Sequence, residues 1–371
     1  MKILYVTTIG GTMRFFETLI KGLIAEGHTV DIATNTGLSP VPSCYEEWGC
    51  RVFRLSCTRS PFNANTFRAV KELKKIVKEN GYDIVHCHTP IAAMCTRLAC
   101  RKARKSGTRV IYTAHGFHFY KGAPKKNWVI YYPVEWTCSF MTDTIININK
   151  EDFKRATKRM HAKSVQYVPG VGIETSGFSD IKIDRAGKRE ELGIPKDCVA
   201  VLSVGELNDN KNHEIIIRAI AANPRKDIYY VICGKGGKAE YLENLAKELG
   251  MGDRLILAGF RRDVSEIYRC CDLFAFPSFR EGLSVSLMEA MCSGLPVMCS
   301  GIRGNVDLIE DGIGGFLFNP NSLESVNLAL NRFLECVCLE EIVEYNKKKL
   351  NEFSMDSVNE QMLEIYGCKK E

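Results

Sequence analysis

The chain has 371 residues, 45% of them apolar and 25% charged, with a formal net charge of +6. That length exceeds what a single hydrophobic core usually serves, so two domains are expected, and the composition excludes a disordered or low-complexity protein. The charge is lopsided, +14 over residues 1–170 and −8 over residues 171–371, so the first half is expected to meet something anionic: nucleic acid, phospholipid and a pyrophosphate-bearing acceptor all qualify.

The opening MKILYVTTIGG has one Lys and a short apolar run that turns at Gly10-Gly11, unlike a secretory leader. The longest apolar candidate, around Trp128–Val134, falls well short of the ~18 residues that cross a bilayer. A cytoplasmic protein is expected. Sixteen cysteines form no C-x-x-C pair and read as reduced, mostly buried thiols rather than a disulfide framework. In His86-Cys87-His88 the imidazoles share one face of a strand and the thiol takes the other. With no second ligand pair at zinc-like spacing, no metal site is expected.

In chain order, Lys2–Thr7 reads as a buried strand, Gly10-Gly11 as a turn, Met13–Glu26 as a helix and Thr29–Ala33 as a strand. A helix follows with Phe67, Val70, Leu73 and Val77 on one face and Arg68, Lys71, Lys75 and Lys78 largely off it. Its apolar side fits either its own sheet or an anionic lipid surface. Strands Asp83–His88, Arg109–Thr113, Thr144–Asn147 and Val165–Val168 alternate with helices Ile91–Lys105 and Lys150–Met160, which implies a parallel doubly wound sheet. Pro169-Gly170-Val171-Gly172 and an aperiodic polar stretch to Arg189 mark a boundary. Residues 1–170 and 171–354 are read as two domains, with a helix over about 355–371 available to pack back on the first.

The second half alternates afresh. Its strands are Ala200–Val204, Ile228–Cys233, Leu255–Ala258, Leu273–Phe276, Pro296–Cys299 and Phe316–Phe318. Helices His213–Ala222, Ala239–Leu249, Val264–Cys270, Leu283–Cys292 and Val306–Glu310 lie between them. Open α/β sheets bind ligands beyond the carboxyl ends of their strands, so the two domains are expected to face each other across a cleft that holds the chemistry.

The most informative stretch is Phe276-Pro-Ser-Phe-Arg-Glu-Gly-Leu-Ser-Val-Ser-Leu-Met-Glu-Ala-Met-Cys-Ser-Gly-Leu-Pro-Val. A turn carries Arg280, Glu281 and Gly282, and a helix then begins. Its first amides, from about Gly282 through Leu283 to Ser284, are free donors at the positive end of a helix dipole and suit a pyrophosphate. Gly282 lets a ligand approach the backbone. Glu281 and Glu289 are eight residues apart, with about 12 Å of helical rise between them at roughly 1.5 Å per residue. That is too far for a retaining glycosidase pair, whose carboxylates stand ~5 Å apart. It suits one acid on a donor's hexose and the other on its ribose.

The stretch resembles the Glu-seven-residues-Glu signature of retaining glycosyltransferases of family 4, with its frame of Pro-Ser, Glu-Gly, Glu-Ala-Met and Gly-x-Pro-Val, and the likeness covers essentially the whole chain. It implies the GT-B fold, two Rossmann-like doubly wound domains facing across a cleft. It also implies retaining transfer of a hexose or N-acetylhexosamine from a nucleotide sugar, UDP-linked, without cofactor or metal. The basic first half fits a lipid-linked saccharide acceptor of surface polysaccharide synthesis, at the inner face of the plasma membrane.

By the same resemblance, Val204-Gly205 to Lys211-Asn212 is the loop that grips the diphosphate. Lys211 matches the family's Lys, while Glu206 replaces its usual Arg and leaves Arg280 or Arg14 to supply the second cation. His115, in Thr113-Ala-His115-Gly116-Phe-His118, matches the His beside the donor's hexose. Gly11 lies on the loop that closes over the pyrophosphate, Gly259 and Arg261 where the nucleobase is read through backbone atoms, and Gly304 on a donor-facing loop. His88, His118 and Arg14 are candidates for the acceptor. Each has a plainer reading as a solvated acid, a surface cation, a hydrogen-bonded loop histidine or a tight turn. Two other functions stay open, a nucleotide-sugar 2-epimerase on the same scaffold and a non-catalytic sugar-nucleotide-binding subunit. Nucleic acid is not expected, because the basic half lacks interleaved aromatics and any recognisable module.

Overall fold

The computed structural model describes residues 1–58, 63–179 and 182–368. They form two units, one of residues 1–171 together with the segment from Val358 onward, the other of residues 172–357.

In the first unit β1 (Lys2–Ile9), β2 (Thr29–Asn35), β3 (Val52–Arg54), β4 (Ile84–His88), β5 (Arg109–Ala114), β6 (Thr144–Asn147) and β7 (Ser164–Tyr167) form one sheet in the order β3-β2-β1-β4-β5-β6-β7. Every pairing is parallel. Such strands are covered on both faces, so they read as near-continuous apolar runs. Leu4, Val6, Val85 and Cys87 enter one core layer, and Ile3, Tyr5 and Ile84 the other. His86 and His88 lie on the Ile84 face by the alternation of β4.

The helix Met355–Tyr366 completes that second layer by placing Val358, Met362 and Tyr366, four residues apart, on one buried face. Tyr366 Oη lies 2.5 Å from Tyr5 Oη and 2.6 Å from His86 Nδ1, and His86 Nε2 lies 2.8 Å from Thr113 Oγ1. Arg109 donates to the carbonyls of Ile365 at 2.6 Å and Tyr366 at 3.1 Å, closing the helix C-terminus. Residues 369–371 of the expected terminal helix lie outside the described residues.

The second unit repeats the plan with β8 (Val199–Val204), β9 (Ile228–Cys233), β10 (Leu255–Gly259), β11 (Leu273–Phe276), β12 (Val297–Ser300) and β13 (Phe316–Phe318). The order is β10-β9-β8-β11-β12-β13, again parallel throughout. Two core layers sandwich the sheet. In each sheet the strand order reverses beside the first strand, at β1/β4 and at β8/β11, where doubly wound sheets bind their ligands.

Several elements depart from the sequence reading. The expected Met13–Glu26 helix is a 3-10 turn over Gly10–Phe16 followed by an α-helix over Glu17–Ala25, because Gly10 N is tied to Ser39 O at 3.2 Å and keeps the chain tight. The expected Ile91–Lys105 helix is two, Pro90–Ala99 and Arg101–Lys105, broken at Cys100. The edge strand β3 and the helix Lys125–Ser139 were not anticipated. The helix Ala64–Asn80 buries Ala69, Leu73 and Val77 in its own core and leaves only Phe67 of its expected apolar face exposed, so that face is closed to lipid. All sixteen cysteines are free thiols.

Tyr366→Phe removes the only partner that the buried Tyr5 hydroxyl has among the described residues, and one partner of His86. It is expected to destabilise the first unit by about 1–3 kcal/mol, read as a lower urea midpoint with an unchanged slope.

Candidate functional site

The loops after β8 and β11 emerge side by side at the second reversal point. Asn208 accepts from Lys211 N at 3.1 Å and caps a 3-10 turn over Asp209–Lys211. The Lys211 stem turns back beneath Gly205, where an added Cβ would stand 3.1 Å from its Cε. The ammonium lies 4.6 Å from the centre of the Phe276 ring and 2.9 Å from Glu281 Oε1. Backbone and amide bonds stitch the two loops together. Phe279 N donates to Asn210 O at 2.8 Å, Asn210 Nδ2 to Arg280 O at 3.0 Å, and Asn212 Nδ2 to Pro277 O at 3.3 Å. Arg303 Nε reaches Glu281 O at 3.2 Å. Gly304, at φ 80°, backs directly on the turn, since a Cβ there would lie 2.2 Å from Gly282 O. A side chain at Gly304 would displace Gly282 itself.

The following helix is Val285–Cys292, with Ser284 as its N-cap, extended and accepting from Leu287 N at 3.3 Å. Gly282, Leu283 and Ser284 therefore precede the helix instead of opening it. Glu281 is a loop residue, so the 12 Å helical rise inferred from the sequence does not separate it from Glu289. Among the described residues, the amides of Gly282, Leu283 and Ser284 bond to no acceptor of the chain. They remain donors for an anion.

Glu289 sits one turn into this helix, half-buried, and accepts from Tyr268 Oη at 3.1 Å. Burial raises its carboxyl pKa and the Tyr268 bond pulls it partly back. No cation pairs with it among the described residues. A partly desolvated carboxylate with no cation beside it costs stability, and such a group is able to accept hydrogen bonds from a ligand.

The remaining donor-side candidates fall as follows. Arg280 is exposed and in no ion pair among the described residues. The Arg261 side chain is committed to Asp263 and Glu191, which leaves only its backbone to address a ligand. Gly259, at φ 68°, accepts from Gly234 N at 2.8 Å. The sequence reading gave no role to Tyr268, Arg303, Asn210 or Asn212. The two asparagines stood in the quoted diphosphate loop and Arg303 in the quoted donor-facing loop with Gly304, whereas Tyr268 becomes a partner of the site only through the tertiary fold.

In the first unit, β1 runs into Gly10-Gly11. A Cβ at Gly10 would stand 2.5 Å from Ser39 O, a backbone atom, so close contact requires glycine there, whereas one at Gly11 would meet only the Ser39 hydroxyl, at 2.7 Å, which can rotate aside. Arg14 is exposed on the same segment. His88, at the end of β4, is buried, contrary to a direct surface role, and its Nδ1 lies 3.1 Å from Nε2 of the partly exposed His115. Phe16 packs on His88 at 4.3 Å. Burial lowers the imidazole pKa to about 4 at His115 and about 3 at His86, and pushes His88 well below its ordinary value. All three rings are neutral at pH 7. His118 stands apart from them, stacked on Tyr131 at 4.4 Å.

These shifts make two expectations. For His86 and His88 the folded pKa lies below the unfolded value of about 6.5, so the unfolded chain binds more protons and stability falls as pH drops through that value. At pH 5 the loss is expected to be about 2 kcal/mol for His86, with His88 adding a loss of the same sign, measured by urea unfolding of the first unit against pH. Glu289 has the opposite sign. Its folded pKa lies above the unfolded one, so its favourable contribution is complete below about pH 4 and is lost as pH rises through the folded value. Glu289→Gln is expected to unfold at higher urea than the native chain at pH 7, the gap closing on acidification.

The two halves of the chain match two family descriptions, "Glycosyltransferase Family 4" over residues 9–169 and "Glycosyl transferases group 1" over residues 184–350. EpsD of Bacillus subtilis (strain 168), named as a glycosyltransferase, is 36% identical over 85% of this chain and 83% of its own length. The UDP-Gal:alpha-D-GlcNAc-diphosphoundecaprenol alpha-1,3-galactosyltransferase of Escherichia coli is 29% identical over 71% of this chain and 70% of its own. Among solved structures, HepE of Anabaena in complex with UDP matches over 100% of both chains with a TM-score of 0.81 at 20% identity. WaaG, a glycosyltransferase involved in lipopolysaccharide biosynthesis, matches over 98% of this chain and 99% of its own with a TM-score of 0.75 at 19% identity. At such identities the structural likeness concerns the fold, which is GT-B.

Proposed function

The chain belongs to the family 4 glycosyltransferases and is an enzyme of that kind, and from that premise we propose that it moves a hexose or N-acetylhexosamine from a UDP-sugar onto a lipid-linked saccharide with retention of anomeric configuration. The observation that carries the reading is the Lys211–Glu281 pair, held at 2.9 Å beside the unpaired amides of Gly282–Ser284 where the strand order reverses. Lys211 and those amides take the diphosphate. As the phosphates replace Glu281 at the ammonium, the freed carboxylate turns to the hexose hydroxyls, and Glu289 takes the ribose diol.

In the transfer, the bond from C1 to the β-phosphate oxygen breaks while the acceptor hydroxyl oxygen bonds C1 from the same face. Its proton passes to the leaving phosphate. The charge that develops there is met by Lys211 and the loop amides, so the reading needs no resident metal and no enzyme-bound glycosyl intermediate. His115, neutral at working pH, contributes a hydrogen bond rather than a charge. UDP is supported by the UDP and UDP-glucose complexes of HepE, and a diphospholipid acceptor by the Escherichia coli relative.

Incubation with a panel of UDP-sugars, with and without a polyprenyl-diphosphate saccharide, tests this. Acceptor-dependent UDP release and a product of retained configuration by NMR are expected. Glu281→Ala is expected to lower kcat/KM by at least about a hundredfold. Undiminished turnover in that variant would falsify the assignment, and a sugar-nucleotide isomer released without acceptor would replace it with an epimerase.

A further inference from the structure

The helix Lys125–Ser139 is apolar on both sides, a pattern usual for helices surrounded by protein or lipid. One side packs inward through Trp128, Tyr131 and Tyr132. On the other, Val129 is 75% exposed and Phe140, just past the helix end, 51%, with Ile130, Val134 and Trp136 also exposed. From Asn127 to Phe140 the only charged side chain is Glu135, and it is turned inward. Its Oε2 accepts from the fully buried Arg97 at 2.8 Å, so the outer face carries no charge. That buried pair also fixes the helix on Pro90–Ala99, making its outer face a rigid platform. His161 stacks on Phe140 at 4.2 Å and meets Trp136 edge-on at 5.4 Å, holding both aromatics in place.

Cations flank this face at both ends. Lys121, Lys125 and Lys126 are exposed at the beginning of the helix. At its far end the short helix Arg101–Lys105 is joined to it by Arg104 Nη1 donating to Phe140 O at 3.1 Å, and it exposes Arg101, Lys102 and Lys105. The nearby acids are already engaged, Asp143 by Arg104 and Lys163 and Glu151 by Arg155 and the Lys121 amide.

We infer that this face is a docking surface for an anionic lipid bilayer, the apolar side chains entering the headgroup boundary and the cations at either end resting on lipid phosphates. Charge complementarity selects this occupant over a second copy of the chain, because a twofold pairing would bring like-charged rims together. The surface goes beyond the transfer reading and is independent of it, since vesicle binding is measured without any sugar donor.

The full chain is co-sedimented with phosphatidylcholine vesicles and with phosphatidylcholine–phosphatidylglycerol vesicles, at low and high salt. Binding is expected only with phosphatidylglycerol and is expected to weaken sharply with salt. Val129→Asp with Val134→Asp is expected to abolish it without shifting the melting temperature. Lys125→Ala with Lys126→Ala is expected to weaken it about twenty-five-fold, at about fivefold per lost cation. These lysines are exposed, so that pair carries the test if the aspartate variant folds poorly. Absence of phosphatidylglycerol-dependent binding, or binding that both pairs of substitutions leave intact, overturns the inference. A solution dimer that Val129→Asp with Val134→Asp dissociates, with no vesicle binding by the native chain, assigns the face to a second copy instead.

Discussion

Lys211 and Glu281 meet across the point where the second sheet reverses its strand order, and the surrounding loops are built to keep them in register. The pair lies at the surface of a core, each side chain less than one-fifth exposed. A cation and an acid held there neutralise each other and limit the desolvation either would suffer alone. The stitching of residues 209–212 to residues 277–280, and the close backing of Gly282 by Gly304, remove the freedom the loops would otherwise have to separate. In the proposed reaction a diphosphate entering the amides beside Glu281 would find a preformed cation, with little ordering left to oppose binding.

The first unit meets a different constraint. Two histidines stand inside a parallel sheet, where most positions are apolar, and their polar atoms need partners. His86 is satisfied by Thr113 and by Tyr366, a residue from the far end of the chain. His88 instead leans on His115. Burial keeps the whole group uncharged, so the site edge at His115 presents a hydrogen-bonding ring and not a cation. The terminal helix is thereby part of the first unit's polar network as well as its apolar layer.

Much of this was legible in the sequence. The alternation of short apolar runs with amphipathic stretches revealed both sheets, because a strand buried on both faces and a helix buried on one have different periods. The helix Lys125–Ser139 was invisible for the same reason. With apolar residues on both sides and Pro133 within it, it has no 3.6-residue contrast to detect. The helix at Ala64–Asn80 was seen, but its apolar face was compatible with either core or lipid, and only its packing against the neighbouring layer decided for the core. The start of the helix after Glu281 was placed early, because an extended Ser284 acting as N-cap is a matter of backbone angle that residue identity only suggests.

By itself the sequence determined the two-unit α/β plan and marked Lys211, Glu281 and Glu289 as candidates, because periodicity and local chemistry are written in adjacent residues. Only the tertiary structure decided that Lys211 pairs with Glu281, that Glu289 is half-buried beside Tyr268 with no cation among the described residues, and that His88 is enclosed while the outer face of Lys125–Ser139 is not. Those outcomes depend on which distant segments exclude water from a given side chain, and desolvation is a property of the folded surroundings, not of any stretch of chain.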